Sequence, residues 1–576
     1  MPLLRQCLLD TYLVRLRAIA RFWNVELTAT RQREAAFELE EAMSDPEAVT
    51  RAYETLPDQE REALNTLLIS GGEMPERVFA RKGGQIRTMG PGRMDRERPW
   101  EEPVSPAEGL WYHGFLFRSF EQGPDGAYGA VLVPPEIRAH LPTPDAEHPR
   151  VTLQSVPEPP VIHPASDLFL DDACTLLAYL QNERPRTTPD REWSDSHTKR
   201  LLRRLRDPDQ ERFAFLTHLA YSMGWVTDQE GGPLRLEPES VTTWLQADAF
   251  HQRRTIAEAW QDDALWNDLF HVPSLQPEDT GAWHNDPVIA RHAILHHLES
   301  CVPERWYTLD EFIAAIKDAD PDFQRPRGDY ETWYIRDGET GAYLSGFENW
   351  DAVEGRVIRH LITRPLAWLG LVDLGAHRRD QPATAFRLTR DGAAILELAE
   401  PPSPSERATP RLRPGFLVSV PAGRRYERFQ LSRVADWVES DDRYAYRLTP
   451  DSLTRAREQG IPVTRVVEFL DEVTEAPLPR SVEAALTRWD TSGTEAWVQR
   501  SVLLRLSSEE MMNKAMASPR VSRLIQEQIG PTIALVRERD WPLVAAGLEE
   551  IGLLPQINGL TTSHDGEQAD RPSSTH

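Results

Sequence analysis

His292 and His296 stand four residues apart, a spacing that puts two imidazoles on one helical face, with His284 and His297 close by in the chain. Such a pair can share a metal ion, but no third ligand follows at a fixed spacing, and the same residues fit the surface of an amphipathic helix. No metal site is assigned. Nucleotide triphosphate chemistry would need a Gly-rich turn ending in Gly-Lys-Ser/Thr, whose amides and lysine hold the phosphates. None of the four lysines, Lys82, Lys199, Lys317 and Lys514, follows a glycine. Zincin-type His-Glu-x-x-His pairs, Gly-x-Ser-x-Gly elbows and paired Cys-x-x-Cys spacings are also absent. Cys7, Cys174 and Cys301 are odd in number and far apart, as expected of small buried hydrophobes in a reducing compartment. The chain is therefore read as a non-enzyme without a cofactor.

Binding chemistry is better represented, because all but four of the 65 basic residues are arginine, a planar and permanently charged partner for carboxylates and phosphates. Against them stand 91 acids, and a net charge of -26 repels a polyphosphate at long range, so any nucleic-acid contact must be local. Three patches qualify. In a Gly-rich insertion, Arg81, Lys82, Arg87 and Arg93 precede Arg96 and Arg98. That arm can follow a phosphate backbone or fold onto its own acidic domain. A second patch places Lys199, Arg203 and Arg206 along one helical stripe with Arg200 and Arg204 beside it, on the helix before the one expected to read DNA. A third, Arg424, Arg425, Arg428 and Arg433, is interleaved with Glu427 and Asp436. An acidic partner protein suits these patches as well as DNA does. Between Gln324 and Gly355, Tyr330, Trp333, Tyr334, Tyr343, Phe347 and Trp350 cluster around Gly338 and Gly341, the pattern of a hairpin packed across its own domain or serving as an interface.

The elements that must position these groups are mostly helical. A length of 576 residues suggests about four domains, and a mean hydropathy of -0.51 belongs to a globular chain. The start carries arginines at Arg5, Arg15, Arg17 and Arg21 and lacks the apolar run of a secretory signal, and no segment suits a membrane span, so the expected location is cytoplasmic. Proline-rich stretches at 141–164, 271–281 and 399–414 mark the expected joints. Apolar periodicity then predicts a mainly α chain with small β wings, an α+β fold. Residues 1–140 hold N-terminal helices and a winged-helix-like unit with the basic insertion. A second such unit spans 165–270, and a third, with the aromatic hairpin, spans 282–400. An α+β module follows over 411–555, and 556–576 reads as a disordered tail. In that module 428–440 reads as a helix, and the helix from 450 has Thr449 or Asp451 as its cap and Gly460 as its stop.

The opening LRAIARFWNVEL, the run from Asp45 to Gly72 and above all the block from Tyr446 to Trp489 resemble the N-terminal accessory region of XPB-type helicases. In that family a strand ending Arg-Leu-Thr leads to a Ser-Leu helix, a Gly stop, a helix ending Phe-Leu and a Leu-Pro start to the next helix. Arg447, Leu448, Thr449, Ser452, Leu453, Gly460, Phe469, Leu470, Leu478 and Pro479 occupy those places. The resemblance covers the C-terminal third well and the first two units more loosely. It implies an accessory role like that of the eukaryotic region, which pairs with a winged-helix subunit of a DNA repair and transcription complex. The motor itself departs, since no ATPase motif accompanies it.

The leading reading is thus a helicase-associated scaffold that docks an XPB-like helicase, with DNA as an optional second partner and with Arg447, Leu453, Phe469, Leu470 and Trp489 toward the helicase. The alternative is a multi-winged-helix DNA-binding transcription regulator. Its phosphate contacts would be Arg81, Lys82, Arg87, Arg93, Lys199, Arg200, Arg203 and Arg204.

Overall fold

The computed structural model describes residues 3–123, 126–142, 150–188, 191–227, 232–281, 283–404, 408–441, 443–494 and 501–558. Most of the tail read over 556–576, the turn of the second wing at 228–231 and the first half of the strand read from Glu495 lie outside these residues. Helices hold about 49% of the chain and strands about 15%, in small separate sheets, which makes it the mainly α, α+β protein that its periodicity predicts. Among the described residues no helix is long and apolar enough to cross a membrane. The chain forms two compact units, Met1–Pro479 and Arg480–His576.

In the first unit, five helices from Leu4–Leu9 to Asp58–Ile69 pack an apolar core against a three-stranded sheet, Glu73–Pro75, Gly126–Leu132 and Phe117–Gly123 in that spatial order. Helix Pro106–His113 is started by Ser105, whose side chain accepts from the Glu108 amide, and stopped by Gly114 in the left-handed region. A Cβ at Gly114 would lie 2.8 Å from Ile19, so the close approach of two helices requires glycine there.

A second core extends without a break from Val151 to Phe429 and so joins the second and third expected units and the first helix of the module. At its centre is helix Leu168–Glu183, buried at every residue from Phe169 to Leu180, as expected for a helix surrounded by others. Two of the proline-rich stretches contribute strands. Val161–His163 pairs as an edge with Val372–Ala376, where proline's missing donor is tolerated, and Leu275–Pro277 pairs with Ile335–Asp337 from the aromatic segment. Within that segment Tyr330, Trp333 and Trp350 are buried while Tyr334 and Tyr343 are exposed.

The module begins with a four-stranded antiparallel sheet in the order Arg411–Arg413, Leu417–Pro421, Arg443–Arg447 and Asp436–Ser440. The helix read over 428–440 is instead a helix, Arg425–Val434, followed by the edge strand Asp436–Ser440. Its Trp-Val pair suits a pleated, half-buried surface better than a helical turn. Thr449 caps helix Pro450–Glu458 through a reciprocal bond with Ser452, and Gly460 ends it at positive φ. The unit Arg480–His576 has its own sheet of Ser501–Arg505, Ile533–Arg537 and Ile525–Gly530, and a small core that includes Ala515, Val521, Val536, Val544 and Leu548.

Candidate nucleic-acid and partner interface

The basic insertion folds onto its own chain. Arg81, on helix Glu76–Gly83, forms a two-pronged ion pair with Asp322 and lies over the rings of Tyr330 and Phe347, while the Lys82 ammonium donates to the Ala319 carbonyl at 3.3 Å. Arg87 reaches the fully buried Glu108 from Nε and Nη2 at 2.8 and 2.6 Å. Arg93 pairs with Glu97 at 2.7 Å in an exposed helical turn. Each of these four cations already has a polar partner inside the molecule.

The second patch is divided. Its helix is Asp195–Leu202, shorter than the run to Asp207 that its leucines suggest. The chain leaves the helix because the buried Asp172 carboxylate accepts from the Arg206 amide at 2.9 Å and from the Arg212 guanidinium at 2.5 Å. Burial pushes the Asp172 carboxyl up, against the pull of Arg212. Arg200 and Arg204 both pair with Glu183, at 3.3 and 3.4 Å, and Arg204 also covers Tyr179. Lys199 and Arg203 remain exposed, with no carboxylate partner among the described residues.

The third patch is largely interior. Arg425 and Arg428 are almost completely buried where helix Arg425–Val434 packs on helix Leu168–Glu183. Arg425 bonds Asp171 at 2.8 Å, Asp167 at 2.9 Å and the Gln252 amide oxygen at 2.8 Å. Arg428 donates to Asp171 at 3.3 Å and to the Thr175 hydroxyl at 2.8 Å, with its guanidinium 3.3 Å from the centre of the Tyr444 ring. Arg253 extends the network through Asp167 and Asp391. A guanidinium tolerates such burial only with its charge matched and most of its donors filled; the aspartates match the charge, and of the Arg428 donors only Nε has no acceptor. The aspartates that hold Arg425 and Arg428 lie some 250 positions upstream, beyond the reach of any local pattern.

Of the residues expected at a partner surface, Arg447 is exposed at the end of strand Arg443–Arg447 and Phe469 is half-buried on helix Val463–Val473. Leu453 and Leu470 point into the module's interior. Trp489, half-buried, is on helix Arg480–Ser492 of the second unit. The histidines do not converge: His292 meets Asp262 at 2.9 Å, His296 meets Glu299 at 3.4 Å and His297 meets Asp320 at 3.2 Å. Among the described residues no group of three or more His, Cys, Asp or Glu side chains could hold a metal ion. The three cysteines are buried, and burial pushes the Cys7 and Cys301 thiols up to about 12, which keeps them unreactive at neutral pH.

Residues that sequence reasoning passed over lie where helix Leu168–Glu183 meets the module. Two adjoining clefts there share Asn182 and Arg455; the larger, about 360 Å³, adds Arg184, Arg433 and Gln459, and the smaller adds Arg204 and Trp437. Of these, Arg204 and Arg433 belonged to recognised basic runs, and nothing in the spacing set Arg433 apart from Arg425 and Arg428.

Residues 416–530 match the family described as the helicase conserved C-terminal domain. The match covers the module from its second strand through strand Ile525–Gly530 and crosses from the first compact unit into the second. It gives the chain a helicase-related segment over the same stretch as the Tyr446 to Trp489 resemblance. No curated protein matches the chain.

Proposed function

We propose that this protein is a non-enzymatic, helicase-associated scaffold, similar to the N-terminal accessory region of XPB-type helicases, whose module docks a separate XPB-like helicase and whose winged-helix-like units brace it. The single observation that carries this reading is the helicase-family match over 416–530, in a chain where no lysine follows a glycine as a phosphate-binding loop requires. The buried arginine–aspartate network supports it, since it fastens the first helix of the matched segment rigidly to the rest of the first unit.

Because Leu453 and Leu470 face inward, the docking contacts of the first unit fall to Arg447 and Phe469. Truncating the module would strip the buried Asp171 of its partners and unfold more than a docking surface, so surface substitutions are the cleaner test. Tagged full-length protein recovered from its own cells in the presence of nuclease is expected to bring a helicase with it. Arg447→Glu combined with Phe469→Ser should lower that recovery about tenfold, the effect of losing an interface anchor. Nuclease-resistant capture with no helicase, or capture indifferent to this double substitution, would sink the docking assignment.

A further inference from the structure

Arg433 occupies an unusual position for a cation. It is half-buried on helix Arg425–Val434, its Nη1 donates only to the Gln430 side chain at 3.3 Å, its Nε has no acceptor, and no carboxylate among the described residues pairs with it. Every other arginine on that helix is held by an acid or by several acceptors, or takes part in further contacts. Burial accordingly lowers the Arg433 pKa with little to offset it. An uncompensated, partly desolvated guanidinium lowers stability, so its presence at the wall of a cleft calls for an anion from outside.

The cleft has the corresponding form. At about 360 Å³ it is many times the ~30 Å³ of a single water, and Arg184, Arg433 and Arg455 line it together. Arg184 is exposed at the C-terminal end of helix Leu168–Glu183, in the left-handed region, and has no carboxylate partner among the described residues. Arg455 shares its charge with Asp436 at 3.0 Å. One carboxylate, Glu458, lines the cleft, leaving a local excess of positive charge in a chain that is otherwise strongly acidic. Through Asn182 and Arg455 the cleft adjoins the smaller one that holds Arg204 and the half-buried ring of Trp437. Lys199 and Arg203, exposed and without acids, belong to the segment that carries Arg204.

We propose that the groove between helix Leu168–Glu183 and the module binds the phosphodiester backbone of a single strand of nucleic acid, with Arg184, Arg433 and Arg455 around one phosphate and Lys199 and Arg203 extending the track. A guanidinium fork matches phosphate oxygens in pairs, and a cationic groove beside an aromatic ring is the arrangement that holds a strand without reading its sequence. This site is separate from the helicase-docking surface and stands or falls independently of it.

The test is fluorescence anisotropy of labelled oligo-dT with the full-length protein over a series of salt concentrations, alongside a duplex of mixed sequence, inorganic tripolyphosphate and poly-glutamate as competitors. Wild-type protein should bind the single strand more tightly than the duplex and weaken steeply with salt. Arg184→Gln with Arg433→Gln should lower affinity at least about tenfold and reduce the salt slope by about 0.7, the value for one lost phosphate contact on a single strand. Arg254→Gln, an exposed arginine paired with Glu258 elsewhere, should change neither quantity. Thermal melting of Arg433→Gln is expected to be unchanged or raised, because the substitution removes a cation with no internal partner. Failure to bind oligo-dT at low salt, or an unaltered slope in the double variant, would overturn the proposal. So would preference for duplex, for tripolyphosphate alone, or for poly-glutamate.

Discussion

Asp171→Ala is expected to destabilise the first compact unit by about 3–5 kcal/mol, the scale for removing one partner of a buried ion pair. The substitution takes from Arg425 and Arg428 the one carboxylate that both share, and neither guanidinium can reach solvent without parting helix Arg425–Val434 from helix Leu168–Glu183. Asp167 still reaches Arg425, but its side chain is 40% exposed and it also serves Arg253, so it compensates weakly. Urea unfolding followed by tryptophan fluorescence would measure the loss, and hydrogen exchange in residues 425–434 should rise with it. Asp171→Asn keeps an acceptor of the same shape and should lie between alanine and wild type. Replacing Asp171, Arg425 and Arg428 together by leucine or methionine should recover much of the stability, because an apolar trio carries no desolvation penalty. If Asp171→Ala melts like the wild type, the network does not hold the module in place, and the structural basis offered for the scaffold fails with it.

Acidification should weaken the protein well before most carboxylates titrate. Burial pulls His271 down to about 4 and His360 down to about 3, with the neighbouring charges of His218 and Arg291 adding to the first and His271 and Arg364 adding to the second. His271 lies flat against Trp266 at 3.6 Å, and His360 is almost fully enclosed. Above the ordinary value of 6.5 both rings are neutral folded and unfolded, and their full contribution is present. Below it the unfolded chain takes up protons that the folded chain refuses. Stability therefore falls as pH drops, by about 1.4 kcal/mol per pH unit for each ring, until the folded values are reached. Allowing for the solvent that reaches His271, the loss by about pH 5 is on the order of 3 kcal/mol. Glu211 lies 3.7 Å from His360, yet burial raises its own carboxyl, so it offers little to hold a protonated ring. Thermal melting from about pH 7 to 4.5 checks this: His360→Gln should flatten the decline, and a decline identical to wild type would show that other groups cause it.

The helices and hairpins of this chain were legible because their rules are local. Apolar spacing locates helix Leu309–Ala319 to the residue, the Thr449–Ser452 box and Gly460 bracket helix Pro450–Glu458, and the run at 115–134 becomes the hairpin of strands Phe117–Gly123 and Gly126–Leu132. The missing Gly-Lys pair and the helicase-like block from Tyr446 to Trp489 are equally properties of neighbouring residues. Misread boundaries lie where a distant group intervened, as when the Asp172 carboxylate drew the chain out of the helix after Leu202. The proline-rich stretches that look like free joints supply edge strands because partners more than fifty residues away complete them.

By itself, then, the sequence determined that this is a mainly helical, arginine-rich and acidic chain with a helicase-related segment and no lysine that follows a glycine. Only the tertiary structure decided which arginines are available to a ligand. Arg428 and Arg433 are five residues apart and identical in type, yet one is closed against Asp171 and the other borders an open cleft with no acid paired to it among the described residues. The difference arises because a charge is neutralised by whatever lies within a few ångströms in space, and here that neighbour is some 250 positions distant in the chain.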